Sequence, residues 1–221
     1  MAFTLRFIDG QAVGHALGKI VCVGRNYAEH AHELNNPVPE TPLLFIKPST
    51  SAVAMESEIT VPVERGDVHF ETELAILIGQ PLTNASETQA REAIIGMGLA
   101  LDLTLRDVQS RLKEKSHPWE LAKGFDGACP LSRFVAVEGS AIDWQNVRFS
   151  LDIDGEPRQR GHSGDMLFPI IALIAEISRS FTLNPGDVVL TGTPKGVGAL
   201  PVGAQLNLTL EDSFNVETHT V

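Results

Sequence analysis

Glu71 and Glu73 stand one residue apart inside the run Val68 to Ile78, and Asp102 closes a second apolar run, Ile94 to Leu101. In an extended chain successive side chains alternate between faces. His69, Glu71 and Glu73 would then point one way and Phe70, Thr72 and Leu74 the other. If the two runs lie side by side, Asp102 adds a third carboxylate to the pair. Gathered carboxylates repel one another unless a cation neutralises them. An all-oxygen donor set suits a hard divalent ion such as Mg²⁺, Mn²⁺ or Ca²⁺ better than zinc or copper. Two acids on one strand face are, by themselves, more often the wet side of an antiparallel sheet. Asp102 and the residues after it turn the reading toward a metal site.

Those residues are Thr104 to Lys115, which read as an amphipathic helix with Leu105, Val108 and Leu112 on one stripe. Arg106 and Gln109, three apart, share a face at its start and hold a cation and an amide beside the acids, an arrangement suited to an anionic substrate. His30 and Glu33 are likewise three apart on a short helical segment stopped by Asn35-Asn36-Pro37. A carboxylate behind an imidazole fixes its tautomer and raises its basicity, so the pair could activate water, although a polar surface helix has the same pattern. His32 falls on another face.

Lys123, in Ala122-Lys123-Gly124-Phe125-Asp126, and Lys47, in Phe45-Ile46-Lys47-Pro48, sit among apolar and small residues. Most lysines are solvated. A lysine in such surroundings points inward to neutralise carboxylates, to stabilise a developing oxyanion or, less readily, to form a Schiff base. The stretch Thr191-Gly192-Thr193-Pro194-Lys195-Gly196-Val197-Gly198 lacks the spacing of a phosphate loop. Thr193 and the adjacent amides could instead hold a carboxylate.

The elements that must carry these groups are mostly strands: Lys19–Gly24, Leu43–Lys47, Ile59–Val61, Val68–Ile78, Ile94–Leu101, Val147–Ile153, Val188–Thr191 and Gln205–Leu210. Helices are expected near Ser86–Ala93, Thr104–Lys115 and Phe168–Ser180. Asp154-Gly155 and Asn184-Pro185-Gly186-Asp187 are turn signals. Strand and helix do not alternate regularly, which predicts an α+β assembly on a mixed sheet instead of a doubly wound fold. A chain of 221 residues, 43% hydrophobic, can bury one large core.

A net charge of −11 without a basic run argues against nucleic acid and anionic membrane as partners. Two distant cysteines, Cys22 and Cys129, argue against a disulfide framework and fit a reducing compartment. The start of the chain has no signal-peptide pattern, and the longest apolar stretch, Met166 to Ile177, is too short to span a bilayer. The expectation is a soluble cytoplasmic protein.

Taken together, several motifs resemble the fumarylacetoacetate hydrolase family: Glu71-x-Glu73, Asp102 with Arg106 and Gln109, Ala122-Lys123-Gly124-Phe125-Asp126, and Thr191-Gly192-Thr193-Pro194-x-Gly196-Val197-Gly198. The opening Val23-Gly24-Arg25-Asn26-Tyr27-x-x-His30-x-x-Glu33 and the block around Phe45-x-Lys47-Pro48 are similar to its short single-domain branch of acylpyruvases and oxaloacetate decarboxylases. The resemblance implies a mixed β-sheet roll of the C-terminal-domain type, with an N-terminal segment 1–16 before a catalytic domain 17–221. It also implies a homodimer and a Mg²⁺ or Mn²⁺ ion on Glu71, Glu73 and Asp102. Arg25, Lys47, Arg106, Gln109 and Thr193 would contact a keto-acid substrate, Lys123 would act in catalysis, and His30 and Glu33 would sit on a mobile lid.

The activity so implied is hydrolysis of a C–C bond in acylpyruvate-type 2,4-diketo acids through a metal-bound pyruvate enolate, as in aromatic catabolism. Within the same family, oxaloacetate decarboxylation and oxaloacetate keto–enol tautomerisation are the alternatives. A non-catalytic module with a structural ion is the remote one, and it has no need of Arg106 and Lys123.

Overall fold

The computed structural model describes residues 3–34, 36–137 and 142–221; Asn35 of the expected helix stop lies outside them. The largest sheet has eight strands and is mixed. Its order across the molecule is Leu43–Lys47, Ile20–Gly24, Val188–Leu190, Thr72–Ile78, Ile94–Leu101, Cys129–Leu131 and Ala52–Ala54, with Val135–Ala136 also paired to Ile94–Leu101. Ile20–Gly24 runs parallel to Val188–Leu190, and Ala52–Ala54 parallel to Cys129–Leu131; the other pairings are antiparallel. An antiparallel sheet of four strands, ordered Glu156–His162, Arg148–Ile153, Gln205–Leu210 and Phe214–His219, and a small one of Gly198–Ala199, Val68–Phe70 and Thr104–Leu105 complete the framework.

Thr72–Ile78 is buried along its whole length because both faces of the large sheet are covered. Leu74, Ile76 and Ile78 enter one apolar cluster, and Ala75 and Leu77 enter the other. Each large aliphatic side chain removed from water in this way contributes about 1.5–3 kcal/mol. The wet-face reading of Glu71 and Glu73 fails for the same reason. The helix Ile170–Ser180 lays Ile170, Ile171, Leu173, Ile174 and Ile177 on the first cluster. Helix Glu87–Glu92 starts at Ser86, whose side chain and that of Gln89 cap one another's backbone amides. Among the described residues no helix is long and apolar enough to cross a membrane.

Three expected elements differ. The run Val68–Ile78 is two strands: Val68–Phe70 pairs with Thr104–Leu105, the chain then crosses at Glu71, and Thr72–Ile78 joins the large sheet. The amide of Thr72 is satisfied by the side chain of Gln159 at 2.8 Å, and the carbonyl of Glu71 by the amide of Asp102 at 2.8 Å. The helix after Asp102 begins at Arg106, because Thr104–Leu105 is drawn into the small sheet and Arg106 donates its amide to Asp67 at 2.7 Å. Ile59–Val61 makes only edge bonds to the C-terminal end, with Ile59 bridging Thr220, and Pro62 stops any extension. The Asp154-Gly155 turn does close a hairpin, both residues having positive φ, 53° and 79°.

Candidate active site

The break at Glu71 and the end of Ile94–Leu101 bring Glu71, Glu73 and Asp102 together, with one oxygen of each within 4.8 Å of the others. All three are buried, at 6%, 1% and 1% exposure. His69, expected on the same face, is carried away by the strand break and pairs with Asp67 at 2.9 Å. Arg106 reaches back from the first turn of its helix to Glu71 Oε1, and its other terminal nitrogen donates to Gln109 Oε1 at 2.8 Å. The three-residue spacing thus works as anticipated, with Gln109 orienting the guanidinium.

Lys123 donates to Glu71 Oε2 at 2.8 Å and to Asp102 Oδ2 at 2.6 Å. Burial alone would push its ammonium toward neutrality, but Asp102 and Glu71 outweigh burial and raise its pKa. An ammonium held between two carboxylates favours the electrostatic role over the Schiff-base one. Glu71 is treated similarly: burial disfavours its charge, yet Lys123, Arg106 and His30 hold it well below the usual carboxylate range.

Glu73 has no such cation. Burial first, then Asp102 and Glu71, raise its pKa well above the ordinary value, and its one strong donor is the amide of Gly192 at 2.6 Å. Gly192 has φ 96°, and a Cβ there would stand 2.6 Å from Cβ of Asn26, so only glycine presents that amide.

The structure places Lys47 elsewhere than the substrate-contact role implied by resemblance. It is 0% exposed and absent from the cavity wall. Its ammonium lies behind Asp102, 2.7 Å from Oδ1, and donates to the carbonyls of Leu103 at 3.2 Å, Ala128 at 3.0 Å and Lys123. Three carbonyls account for its three protons. Asp102 Oδ1 therefore has a neighbouring charge but no hydrogen bond. A hard cation fits this donor set: three clustered carboxylates, one of them without a cation and another with an oxygen that receives no proton.

His30 and Glu33 lie on the helix Ala28–Glu33, which covers the cluster. Glu33 Oε2 is 3.4 Å from His30 Nδ1, leaving Nε2 free. Burial lowers the His30 pKa, with Glu71 and Glu33 opposing, so the imidazole is neutral near pH 7. Glu29 pairs with Lys195 at 3.1 Å, and Asn26 locks the base of the segment by donating to the carbonyls of Thr191 at 2.8 Å and Phe168 at 3.1 Å. Arg25, at φ 61°, sits where the chain turns into this segment.

Beneath the helix is a cavity of about 40 Å³, lined by Arg25, His30, Glu71, Glu73, Arg106, Gln109, Lys123 and Thr193 among others. By that measure it holds roughly three waters. Of the expected site residues, all but Asp102, Lys47 and Glu33 reach its wall, and each of those three touches one that does or completes the acid cluster. Lys113 and Trp119 also line it and were not anticipated. Gln159 was missed as well; it holds Thr193 Oγ1 at 2.8 Å from a strand whose sequence gave no chemical signal. The amides of Thr191–Gly198 serve protein carboxylates, Gly192 donating to Glu73 and Gly196 to Glu33.

Known proteins resemble this chain in sequence and fold. The family profile described as fumarylacetoacetate (FAA) hydrolase C-terminal matches residues 19–220. Oxaloacetate tautomerase YcgM of Escherichia coli is 49% identical over 203 residues, covering 92% of this chain and 93% of that one. A mitochondrial oxaloacetate decarboxylase of Dictyostelium discoideum is 43% identical over 186 residues, covering 84% and 85%. The crystal structure of fumarylpyruvate hydrolase from Pseudomonas aeruginosa with Mn²⁺ and pyruvate superposes with a TM-score of 0.91 at 32% identity, covering 100% of this chain and 96% of that one. Profile, identity and fold agree over nearly the full length, and the chain belongs to the fumarylacetoacetate hydrolase family, in its short single-domain branch.

Proposed function

We propose that this protein is a divalent-metal-dependent oxaloacetate keto–enol tautomerase. The observation that carries the reading is a neutral, buried imidazole, braced at Nδ1 by a carboxylate, facing a cavity walled by Arg25, Arg106 and Lys123. A proton shift between carbon 3 and the 2-oxygen needs one positioned base and no water. Hydrolysis would in addition need a water placed beside the substrate. The relative at 49% identity is an oxaloacetate tautomerase, whereas the hydrolase neighbour stands at 32%.

Glu71, Glu73 and Asp102 would hold a Mg²⁺ or Mn²⁺ ion, which when bound supplies Lewis acidity toward a 2-oxo acid. Charge supports the substrate class. Arg25, Arg106, Lys113 and Lys123 all reach the cavity wall, and a divalent ion would add to their positive charge, which suits an anionic oxo acid. Within this frame Arg106, oriented by Gln109, and Arg25 bind carboxylate, and Thr193, fixed by Gln159, limits its position. His30 Nε2 takes the proton from carbon 3 while Glu33 steadies the imidazolium, and the same proton is returned to the 2-oxygen, so the count of protons closes. Lys123 keeps a fixed positive charge beside the oxygen where negative charge develops.

The test follows the enol absorbance of oxaloacetate with Mg²⁺, with Mn²⁺ and with chelator, alongside CO₂ release and acetylpyruvate cleavage. Enzyme-dependent, metal-dependent loss of enol without matching CO₂ is the expected result. Acetylpyruvate cleavage with no acceleration of tautomerisation would return the assignment to a hydrolase.

A further inference from the structure

Lys47 is among the largest fully buried side chains, and no step above uses it directly. A fully buried ammonium is costly unless every proton and its charge are compensated. Here compensation comes from one place. The carbonyls of Leu103, Lys123 and Ala128 and the carboxylate of Asp102 all converge on Nζ. Leu103 follows Asp102 directly and donates its own amide to Ala128 at 3.0 Å, while Lys123 donates its ammonium to Asp102. One point charge thus ties the backbone behind a metal-ligating carboxylate to the backbone of the lysine that pairs with it. It enters from the end strand Leu43–Lys47, outside the elements that carry the acids.

We infer that Lys47 is a positioning residue, holding Asp102 and Lys123 in the mutual geometry that admits a divalent cation; this rests on the metal reading above. Its action on the ion is indirect and opposite in sign to its charge. As a bare cation beside the cluster, Lys47 repels a second cation, so deleting that charge alone would tighten metal binding. If its function is to hold Asp102 in place, deleting it weakens binding. The direction of change separates the two roles.

The experiment measures Mn²⁺ affinity by calorimetry, and the environment of bound Mn²⁺ by electron paramagnetic resonance, for the unaltered protein, Lys47→Gln and Lys19→Gln. Lys19 pairs with Asp187 away from the cavity and controls for loss of an ion pair that only stabilises the fold. Lys47→Gln is expected to weaken Mn²⁺ binding about ten- to hundredfold, the range for supporting residues of metal sites, and to alter the resonance spectrum; Lys19→Gln should leave both unchanged. Unchanged or tighter binding in folded Lys47→Gln overturns the inference while leaving the metal reading intact. Absence of Mn²⁺ binding by the unaltered protein overturns the metal reading itself, and the inference with it.

Should Lys47→Gln not fold, the unaltered protein with ¹⁵N-labelled lysine decides. The Lys47 ammonium resonance is expected to shift as Mg²⁺ saturates the site and that of Lys19 to stay. A Lys47 signal indifferent to saturating Mg²⁺ rejects the inference.

Discussion

The amide N–H of Gly196 is shared between both carboxylate oxygens of Glu33, at 3.0 and 3.2 Å, so the helix that carries His30 is fastened to the loop that carries Thr193. At Gly196 φ is 97°, and a Cβ would meet the Arg158 carbonyl oxygen at 2.2 Å, so the fastening depends on glycine. Removing Glu33 frees the helix and unbraces the imidazole together. We expect His30→Ala to lower kcat for tautomerisation about 10²- to 10⁴-fold, and Glu33→Ala to lower kcat and raise KM. His32→Ala, at an exposed position, should change neither. Steady-state kinetics on the three variants checks this; equal losses in the His30 and His32 variants would refute the base assignment.

His30 has its pKa lowered from 6.5 by burial. The reactive neutral form consequently persists below pH 6.5, and the acid limb of kcat/KM should fall below that value. The same depression bears on stability: its contribution is fully present above pH 6.5 and is lost as pH falls through the folded-state pKa. A pH–rate profile with an acid limb above 6.5 would contradict the burial of this ring in the working enzyme.

Burial and its acidic neighbours disfavour the charged form of Glu73 in metal-free protein, so a neutral glutamine of the same shape is tolerated there. Glu73→Gln should leave metal-free unfolding nearly unchanged. It should also abolish the stabilisation by added Mn²⁺ expected for the unaltered protein, about 2.7 kcal/mol at a hundred times Kd. Thermal melts with Mn²⁺ and with chelator give both numbers.

Lys123→Met leaves Glu71 and Asp102 buried without their shared ammonium. Breaking a buried pair from one side costs about 3–5 kcal/mol, so this variant should lose stability as well as turnover. Denaturant unfolding in chelator measures the first and the enol assay the second. Unaltered stability would mean that the carboxylates find other partners.

Gly192→Ala forces a side chain into the positive-φ region and against Asn26, and withdraws the amide from Glu73. Such a conformation costs about 1–3 kcal/mol. Calorimetric melting should register that loss, and Mn²⁺ affinity should fall with it. Retention of both would show that the loop relaxes without moving the amide.

Local periodicity is enough to pair Arg106 with Gln109 and His30 with Glu33, because residues three apart on a helix meet whatever the rest of the chain does. Residue type and order likewise sufficed for the acidic trio, for the inward lysines and for an α+β sheet framework. The helix Glu87–Glu92 falls inside the expected Ser86–Ala93, and the hairpin was legible from Asp154-Gly155.

What the chain order cannot carry is the partner supplied from far away. The crossing at Glu71 depends on Gln159, the Glu73 amide donor is 119 residues downstream, and the oxygens that turn Lys47 away from the cavity come from positions 56 to 81 residues on. The short strands Ala52–Ala54, Cys129–Leu131 and Gly198–Ala199 are too brief for an alternating pattern and exist because a neighbouring strand offers hydrogen bonds. Side-chain identity supplied the charges of this site; which charge meets which was decided by tertiary packing, since burial makes an unpaired charge costly and only the folded chain brings its partner within reach.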